Sequence, residues 1–430
     1  MKKGLLVVFL IILLPSVLWL RVNPLVFSSA TGFSFSLGQY FAILGFTLFT
    51  LALLLSMRLP VFEKIFGNLA MSYRFHQWCG TIATVLLVLH PALLFGPTLI
   101  ASPENFLPFL NAYNLIFKAF GFLALLTLVI VMIATFFVSL PYHVWKRIHR
   151  FMGLAFLLGA LHGFFIDGSI AFTPTVRIIV GIFGLLGIGA IYYRILFRKY
   201  FVRKTPFTLE RLETLGTVVK LTLKPIKKNL SFRAGQFAYL TIHDPSIVDE
   251  HPFSIVSKEG SGDELVFMAK MLGDDTNKFE NLKPGTHVDV EGPFGNFSYA
   301  LGGKRQLWIG GGIGITPFLS LASSLPLGYS VDLYYSIKTA GEEVGQTLLN
   351  EAVKNYPGLK VHIWITADKG YCTVDALIKD GLDLINTDDV LICGPAPMMQ
   401  ALETDFSKHG VKPGRIHTER FATRTLLPPK

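Results

Sequence analysis

Six long apolar runs occupy most of the first 200 residues and decide what this chain can fold into. A helix needs about 20 predominantly apolar residues to cross a bilayer. The runs mostly meet that length, the first and fifth only just. We therefore predict an all-α bundle of six transmembrane helices. The runs cover residues 4–20, 37–57, 76–95, 113–140, 148–165 and 176–197.

The rest of the chain has the mixed composition of a water-soluble globule, although 51% of all residues are hydrophobic and only 16% are charged. The net charge of +10 is concentrated beside the apolar runs, which favours membrane-surface topology over nucleic-acid binding. The length of 430 residues indicates two or three domains. We place them at 1–203, 204–300 and 301–430. The three cysteines lack the spacing of a metal site or a disulfide framework, which indicates a reducing compartment.

The loop charges give the predicted bundle a direction. Most of its Lys and Arg residues fall on one side of a six-span topology, and positive-inside bias places that side, both termini and the soluble half in the cytoplasm. The first run also resembles a signal peptide, but residues 27–30 make a poor cleavage site, so we expect it to be retained. The basic side carries Lys2, Lys3, Arg58, Lys64, Arg74, Lys146, Arg147, Arg150, Arg194, Arg198, Lys199, Arg203 and Lys204.

Four histidines lie within these runs or at their edges. His76 and His90 are 14 residues apart in the third run, and His149 and His162 are 13 apart in the fifth. An ionisable residue in a membrane helix is costly unless it has a partner, so it indicates function. The third and fifth helices run in the same direction. This places His76 and His149 near the cytoplasmic face, and His90 and His162 about 20 Å further out.

Two histidine pairs at two depths predict two stacked sites, and bis-imidazole ligation of two haem irons is the simplest occupancy. For a single membrane histidine, a hydrogen bond to a neighbouring helix would be the favoured explanation. A di-metal site would need carboxylates or cysteines at these depths, where the sequence offers few. Arg74, Arg147 and Arg150 stand where haem propionates would need countercharge, although positive-inside topology explains them equally well.

Helical rotation supports the third helix better than the fifth. On an ideal helix, the 14-residue step from His76 to His90 leaves the two side chains about 40° apart around the axis. The 13-residue step from His149 to His162 leaves them about 140° apart. The fifth helix must therefore be overwound or kinked between its two histidines, and Gly153, Gly159 and Gly163 could permit that distortion. By geometry alone His143 is a rival ligand on this helix, about 100° off.

The soluble half shows two patterns in succession. Residues 206–300 contain short β-runs separated by turns, which is typical of a small antiparallel barrel. Residues 305–425 alternate strand and helix patterns, as in a doubly wound α/β nucleotide-binding fold. The predicted barrel strands cover residues 217–224, 236–243, 253–257, 264–271 and 287–291.

The stretch His251-Pro252-Phe253-Ser254 predicts a flavin contact. Phe253 could stack on a flavin ring, Ser254 could hydrogen-bond its N5 edge, and His251 could lie beside its phosphates. Taken alone, the stretch is also an ordinary strand start.

A second loop of the barrel region suits a pyrophosphate. Gly273 and Thr276 bound a four-residue turn at a predicted strand-to-helix junction, with Lys270 three residues ahead. Helix N-termini bind phosphate through their free N–H groups.

Two loops of the last domain predict a nicotinamide nucleotide site. A glycine-rich loop joins the strand 306–309 to a helix that begins near Pro317, where the backbone can approach a pyrophosphate. A cysteine loop follows the strand 389–392, and a cysteine at the carboxyl end of a strand lines the switch-point crevice. A buried structural cysteine is the alternative. The loop residues are Gly310, Gly311, Gly312, Gly314, Thr316 and Pro317, then Cys393, Gly394 and Pro395.

In combination these motifs resemble the ferric reductase and NADPH oxidase superfamily, whose soluble part is of the ferredoxin–NADP reductase type. The likeness covers nearly the whole chain. That family spaces its haem histidines as they are spaced here, which selects His149 over His143. The motifs that match are the flavin motif at 251–254, the phosphate motif at 273–276, the nicotinamide loop at 310–317 and the Cys-Gly-Pro motif at 393–395.

The resemblance implies an electron relay in a bacterial cytoplasmic membrane. NAD(P)H would give a hydride to FAD near Cys393 and Ser254, and electrons would pass singly through two b-type haems to an acceptor outside. By the same likeness, Glu419 and Phe421 match a near-terminal acid and an aromatic that shields the flavin ring. In the family that aromatic is often nearly the last residue, whereas nine residues follow it here.

The identities of the donor and acceptor are less constrained. Ser336 and Lys338 follow the strand 331–335 where a 2′-phosphate would be read, which favours NADPH, although a solvated lysine is the alternative. We expect ferric iron or a ferric chelate as acceptor, and superoxide formation from oxygen as the runner-up. The short outer loops, 96–111 and 166–175, carry no histidine or cysteine cluster to bind iron. A transporter with a fused regulatory domain would need paired intramembrane carboxylates and leaves the histidines unexplained.

Overall fold

A computed structural model describes most of the chain, which forms two compact units within residues 1–201 and 202–425. We refer to these as the N-terminal and C-terminal units. The described residues are 2–23, 25, 27, 29–67, 69–101, 115–166, 174–197, 204–262, 264–273 and 275–420.

The N-terminal unit is helical throughout its described core. Six of its helical stretches are long and apolar enough to cross a membrane, as the sequence predicts. Their outward faces expose large apolar side chains such as Leu14, Ile130 and Leu185, which suit contact with lipid. The helices are α1 (Lys2–Val22), α2 (Ala30–Leu55), α3 (Pro60–Phe66), α4 (Leu69–Ala101), α5 (Leu115–Phe136), α6 (Tyr142–His149), α7 (Met152–Phe165) and α8 (Pro174–Tyr192), followed by a π-helical turn (Tyr193–Phe197).

The core of this unit is aromatic. Phe46 of α2 stacks on Phe156 of α7 at 4.9 Å between ring centroids, and Phe49 meets the same ring edge-on at 5.3 Å. All three side chains are buried. α4 begins earlier than its apolar run predicts, so His76 lies inside this helix rather than at its start.

The fifth predicted span is divided into two helices. α6 ends at His149 and α7 begins at Met152. Across this junction three N–H groups bond to carbonyls three residues back, at 3.0 to 3.3 Å, which is the tighter winding of a 3₁₀ turn. The predicted overwinding or kink is therefore confirmed. It lies directly after His149 and involves Gly153, rather than Gly159 or Gly163.

The first part of the C-terminal unit is an antiparallel sheet with the order β4-β3-β6-β1-β2-β5. A bridge between Ile255 and Phe267 joins its two edges, so the sheet closes into the predicted barrel. The strands are β1 (Lys204–Leu215), β2 (Val218–Pro225), β3 (Phe237–Ile242), β4 (His251–Ser254), β5 (Leu265–Lys270) and β6 (His287–Phe294).

The strand β1 is missing from the prediction, which assigned the barrel five strands. It lies between β6 and β2. Glu210, Arg211 and Glu213 interrupt its apolar alternation, and a register shift falls between Leu209 and Arg211. The bulge and the exposed carboxyl-terminal end of β1 break the alternation of apolar and polar residues on which strand prediction depends.

The second part is a parallel α/β sheet with the order β11-β10-β7-β8-β9, as predicted. The chain leaves β7 towards β8 and β9, then returns to the other side of β7 for β10 and β11. This reversal creates a crevice at the carboxyl ends of β7 and β10, where α/β folds bind ligands. The elements are β7 (Arg305–Gly311), α9 (Thr316–Ser323), β8 (Ser330–Ile337), α10 (Gln346–Asn355), β9 (Leu359–Ile365), α11 (Thr366–Lys369), α12 (Val374–Lys379), β10 (Asp389–Cys393), α13 (Ala396–Lys408) and β11 (Ile416–Glu419).

Candidate cofactor sites

The four membrane histidines form two ring pairs in the N-terminal unit. His76 of α4 and His149 of α6 have ring centroids 6.2 Å apart, and His90 of α4 and His162 of α7 have centroids 6.5 Å apart. A metal about 2 Å from one nitrogen of each ring would separate the centroids by about 6 Å. Both pairs therefore have the separation that one shared metal ion requires.

Backbone carbonyls fix the orientation of three of these rings. The Nδ1 atom lies 2.7 Å from the Ala52 carbonyl oxygen in His76, 2.9 Å from that of Gly38 in His90, and 2.8 Å from that of Phe117 in His162. A carbonyl only accepts, so each Nδ1 carries a proton, and in the neutral imidazole Nε2 then keeps its lone pair. Metal-ligating histidines are held in this way. A sequence does not reveal which carbonyls do this.

The fourth ring is held differently. The Nδ1 atom of His149 is buried and has no hydrogen-bond partner among the described residues. Its ring instead stacks on Trp145 at 5.0 Å and 26°. The positive charge of Arg194 is close enough to interact electrostatically with both His76 and His149. Sequence reasoning counted Arg194 only as a topology signal and did not single out Trp145.

A cavity of about 280 Å³ lies beside the His90–His162 pair. Its walls are almost entirely apolar, and Gly121 and Gly159 are among the lining residues. A Cβ atom at Gly121 would lie 2.7 Å from Nδ1 of His162, so the close approach of α5 to this ring needs glycine. The Gln39 side-chain oxygen also lines the cavity, and it is buried without a hydrogen-bond partner in the described part of the chain. An apolar cavity beside paired imidazoles fits a haem.

The flavin motif lies on β4 in the barrel. The Ser254 hydroxyl is buried and has no hydrogen-bond partner among the described atoms, as expected of a group whose partner is a bound ligand. Phe253 packs edge-on against Phe279 at 5.8 Å, and Pro252 pairs with Tyr239 across the ladder. An unsatisfied hydroxyl next to a half-buried aromatic residue fits a flavin ring edge.

Asp275 organises the turn beside this motif. Its carboxylate accepts from His251 Nε2 and from the Asp249 N–H, both at 3.2 Å, and pairs with Lys278 at 3.2 Å. Burial alone would raise the pKa of Asp275, but these hydrogen bonds hold it below its usual value. In the same turn Thr276 accepts from the Leu272 N–H at 3.0 Å. Asp275 stood inside the predicted phosphate motif, but the sequence indicated no role for it.

The two nicotinamide loops meet backbone to backbone at the switch point. A Cβ atom at Gly314 would lie 2.5 Å from the Cys393 carbonyl oxygen and 2.6 Å from Cα of Gly394. Gly312 has φ of 51° and open space around it. Gly314 is thus required by the packing of the two loops, and Gly312 is the position where a ligand could approach. α9 begins at Thr316, with Pro317 in its first turn, as predicted.

Cys393 and Glu419 lie side by side at the carboxyl ends of β10 and β11. Both side chains are buried. Burial, followed by the charge of Glu419, raises the pKa of the Cys393 thiol well above its usual value. The thiol is therefore protonated at neutral pH and is not a nucleophile. Phe421, the predicted flavin shield, lies outside the described residues.

The predicted 2′-phosphate residues lie at the end of β8. Ser336 is within the strand and buried, and Lys338 follows it. The Thr339 hydroxyl lowers the pKa of Glu342, and the charges of Lys270 and Lys338 lower it further. Lys270, predicted beside the flavin pyrophosphate, thus acts on the loop that follows β8.

Together these units define a membrane-bound oxidoreductase with FAD-binding and NAD-binding domains. The chain matches the ferric reductase like transmembrane component over residues 41–160, an FAD-binding domain over 202–298 and an oxidoreductase NAD-binding domain over 308–404. It belongs to the ferric reductase–NADPH oxidase superfamily and is a multi-pass membrane protein.

The curated relatives are similar to about half of this chain or less, and two of them serve as examples. It is 30% identical over 186 residues to the electron transfer subunit of dihydroorotate dehydrogenase B (NAD(+)) from Streptococcus mutans, covering 41% of this chain and 68% of that protein. It is 26% identical over 205 residues to the anthranilate 1,2-dioxygenase electron transfer component of Acinetobacter baylyi, covering 45% of this chain and 59% of that protein. A ferredoxin NADP+ reductase structure from Neisseria gonorrhoeae aligns at a TM-score of 0.44 and 19% identity, over 50% of this chain and 98% of that one.

Proposed function

We propose that this protein moves electrons from cytoplasmic NAD(P)H, by way of FAD and two b-type haems, to an acceptor on the opposite side of the membrane. Transfer of electrons from NAD(P)H follows from its FAD- and NAD-binding domains. The haems, the direction across a bacterial cytoplasmic membrane and the acceptor are our inferences. The division into domains at 1–203, 204–300 and 301–430 belongs to the same proposal.

One observation carries the proposal: paired imidazoles stand at two levels of the membrane bundle, with ring separations of 6.2 and 6.5 Å. Three of the four rings donate Nδ1–H to a carbonyl, which leaves Nε2 free to bind iron. In the His90–His162 pair both rings donate Nδ1–H to carbonyls, so both Nε2 atoms are available to one metal ion, which a purely structural histidine pair does not require.

When bound, FAD takes two electrons from the nicotinamide and releases them one at a time, as single-electron haem carriers require. The chain's own residues would position the cofactors. Ser254 would hydrogen-bond the flavin edge, Phe253 and Phe421 would hold the ring, and Gly273 and Thr276 would bound the pyrophosphate turn. Cys393, a buried neutral thiol beside Glu419, would lie just behind the surface that the nicotinamide meets.

We propose NADPH as the preferred donor, because Ser336 lies near the end of β8 and Lys338 directly follows it, where this fold meets the adenosine ribose. Replacing Lys338 by Ala should lower turnover with NADPH while sparing turnover with NADH. Glu342→Gln removes the opposing charge in the same loop and should shift the ratio the other way. An unchanged NADPH to NADH ratio in Lys338→Ala would contradict this preference.

We propose ferric iron or a ferric chelate as the acceptor, with superoxide production as the second candidate. The test is NADPH oxidation by the purified protein, with and without oxygen. A metalloreductase should stop anaerobically and resume when ferric chelate is added, and the His90→Ala variant should not resume. Stoichiometric superoxide in air, with no response to ferric chelate, would favour the oxidase.

A further inference from the structure

We propose that His243, His287 and Asp289 form a binding site for a divalent first-row transition-metal ion on the surface of the barrel. One ligand atom from each residue lies within 4.8 Å of the other two. None of its three residues belongs to the flavin, nicotinamide or haem sites described above, and the proposal does not depend on the proposed electron relay.

The pairing of two strands brings the three residues together. His243 directly follows β3, and its N–H donates to the His287 carbonyl at the start of β6, at 3.0 Å. His287 and Asp289 are two residues apart on β6, so their side chains project from the same face of the sheet. Thr241 pairs directly with Asp289, which places the end of β3 beside this carboxylate.

The distances within the cluster suit a small metal ion. Nε2 of His243 lies 2.9 Å from one oxygen of Asp289, and Nε2 of His287 lies 3.3 Å from the other. The two rings are 4.8 Å apart at 60°. Ligand atoms that share an ion at about 2.0 to 2.2 Å stand roughly 3 Å from one another. Small shifts of the three side chains would therefore bring their ligand atoms around one ion.

The donor set indicates which ion would bind. Two imidazole nitrogens and one carboxylate oxygen suit Zn²⁺, Ni²⁺, Cu²⁺ or Fe²⁺, with water in the remaining positions. The side chains are 49%, 41% and 22% exposed, so an ion can reach them from solution. In the His362–Asp332 pair, at 3.0 Å, the carboxylate faces one imidazole, whereas Asp289 faces two. The second imidazole is the feature that a metal explains.

The test measures Zn²⁺ binding to the full-length protein in detergent. The protein is purified with a histidine-free tag, stripped with a chelator and titrated in competition with a chromophoric Zn²⁺ indicator. His243→Gln and Asp289→Asn are compared with wild type, and His362→Gln is the matched control. Flavin absorbance in every sample reports that the C-terminal unit is folded. Asp289→Asn keeps a hydrogen-bonding amide and so separates metal binding from the hydrogen bonds.

We expect one Zn²⁺ per chain whose affinity falls about tenfold or more in both cluster variants and is unchanged in His362→Gln. Co²⁺ in place of Zn²⁺ should give a visible absorption band that both cluster variants lack. Equal Zn²⁺ affinity in wild type and both cluster variants, or no such ion in wild type, would overturn the proposal.

Discussion

The two histidine pairs share one helix but are held in place in different ways. In the His90–His162 pair both Nδ1 atoms meet backbone carbonyls, and an apolar cavity adjoins both rings. In the His76–His149 pair only His76 meets a carbonyl, whereas His149 ends a helix and stacks on Trp145. A charge, that of Arg194, acts on this second pair.

The difference indicates how one fold can tune two similar sites. Backbone carbonyls of the neighbouring helices α2 and α5 fix the orientation of His90 and His162. His149 stands at a helix junction, where its orientation depends on a side-chain contact and a nearby charge. Axial orientation, hydrogen bonding and local charge are the means by which a protein sets haem potentials. We therefore expect the pairs to differ in potential and in sensitivity to mutation.

The largest effect should come from removing a ligand of the carbonyl-held pair. His90→Ala should lose one of two haems and lower reduction of an external acceptor about 100-fold or more, since even a supporting partner of a ligand costs about 10–100-fold. His143→Ala is the matched control and should keep both haems. Haem content per flavin and anaerobic NADPH oxidation measure this. Loss of a haem in His143→Ala would reassign the ligand on the fifth span.

A smaller effect should follow from crowding the same pair. In Gly121→Ala the new methyl group would lie 2.7 Å from Nδ1 of His162. In Gly189→Ala, on α8 and outside the lining of the cavity, it would meet no atom within 4 Å. Overpacking at Gly121 costs about 1–3 kcal/mol. Gly121→Ala should therefore bind one haem weakly, and Gly189→Ala should bind both. Equal haem retention in the two variants would show that His162 is not held against α5.

The charge beside the other pair should affect only that pair. Arg194→Gln removes a positive charge, and the loss of that charge stabilises the oxidised iron. The reduction potential of the His76–His149 haem should therefore fall by tens of millivolts. Arg194→Lys keeps the charge and should restore most of the potential. Spectroscopic redox titration resolves the two haems. An equal fall in both potentials would contradict the difference between the pairs.

The smallest expected effect concerns the stacking contact of His149. An aromatic contact is worth about 0.5–1.5 kcal/mol beyond its buried area. Trp145→Leu should therefore weaken haem retention at the His76–His149 pair about two- to tenfold. Trp78→Leu, which removes an edge-on contact with Phe75 at 5.4 Å, is the control. Haem transfer to a scavenger protein gives the rates, and faster loss in Trp78→Leu than in Trp145→Leu would count against the role of the stack.

Much of the fold could be predicted from the sequence because its signals are long. Six apolar runs, a strand series and a strand–helix alternation each extend over many residues. The missed strand β1 shows the limit, because its charges and bulge remove the period of two. The junction after His149 was anticipated from rotation, but its position depends on tertiary packing, which no local pattern encodes.

The candidate sites were less predictable than the fold. Sequence motifs identified Ser254, Cys393 and the histidines, because cofactor binding at these positions depends on the chemical type of the side chain. The supporting groups Ala52, Gly38 and Phe117 act through backbone carbonyls, which every residue has. Ala52 and Gly38 on α2 repeat the spacing of His76 and His90 on α4. That correspondence has meaning only once the two helices are known to be adjacent.

The central claim is that the four membrane histidines form two bis-imidazole haem sites. The most direct measurement is the haem content of the purified flavin-containing protein, with a low-temperature electron paramagnetic resonance spectrum of the oxidised iron. We predict two b-type haems per flavin, both low-spin. Flavin-containing protein with fewer than two haems, or with a high-spin iron at either site, would contradict it.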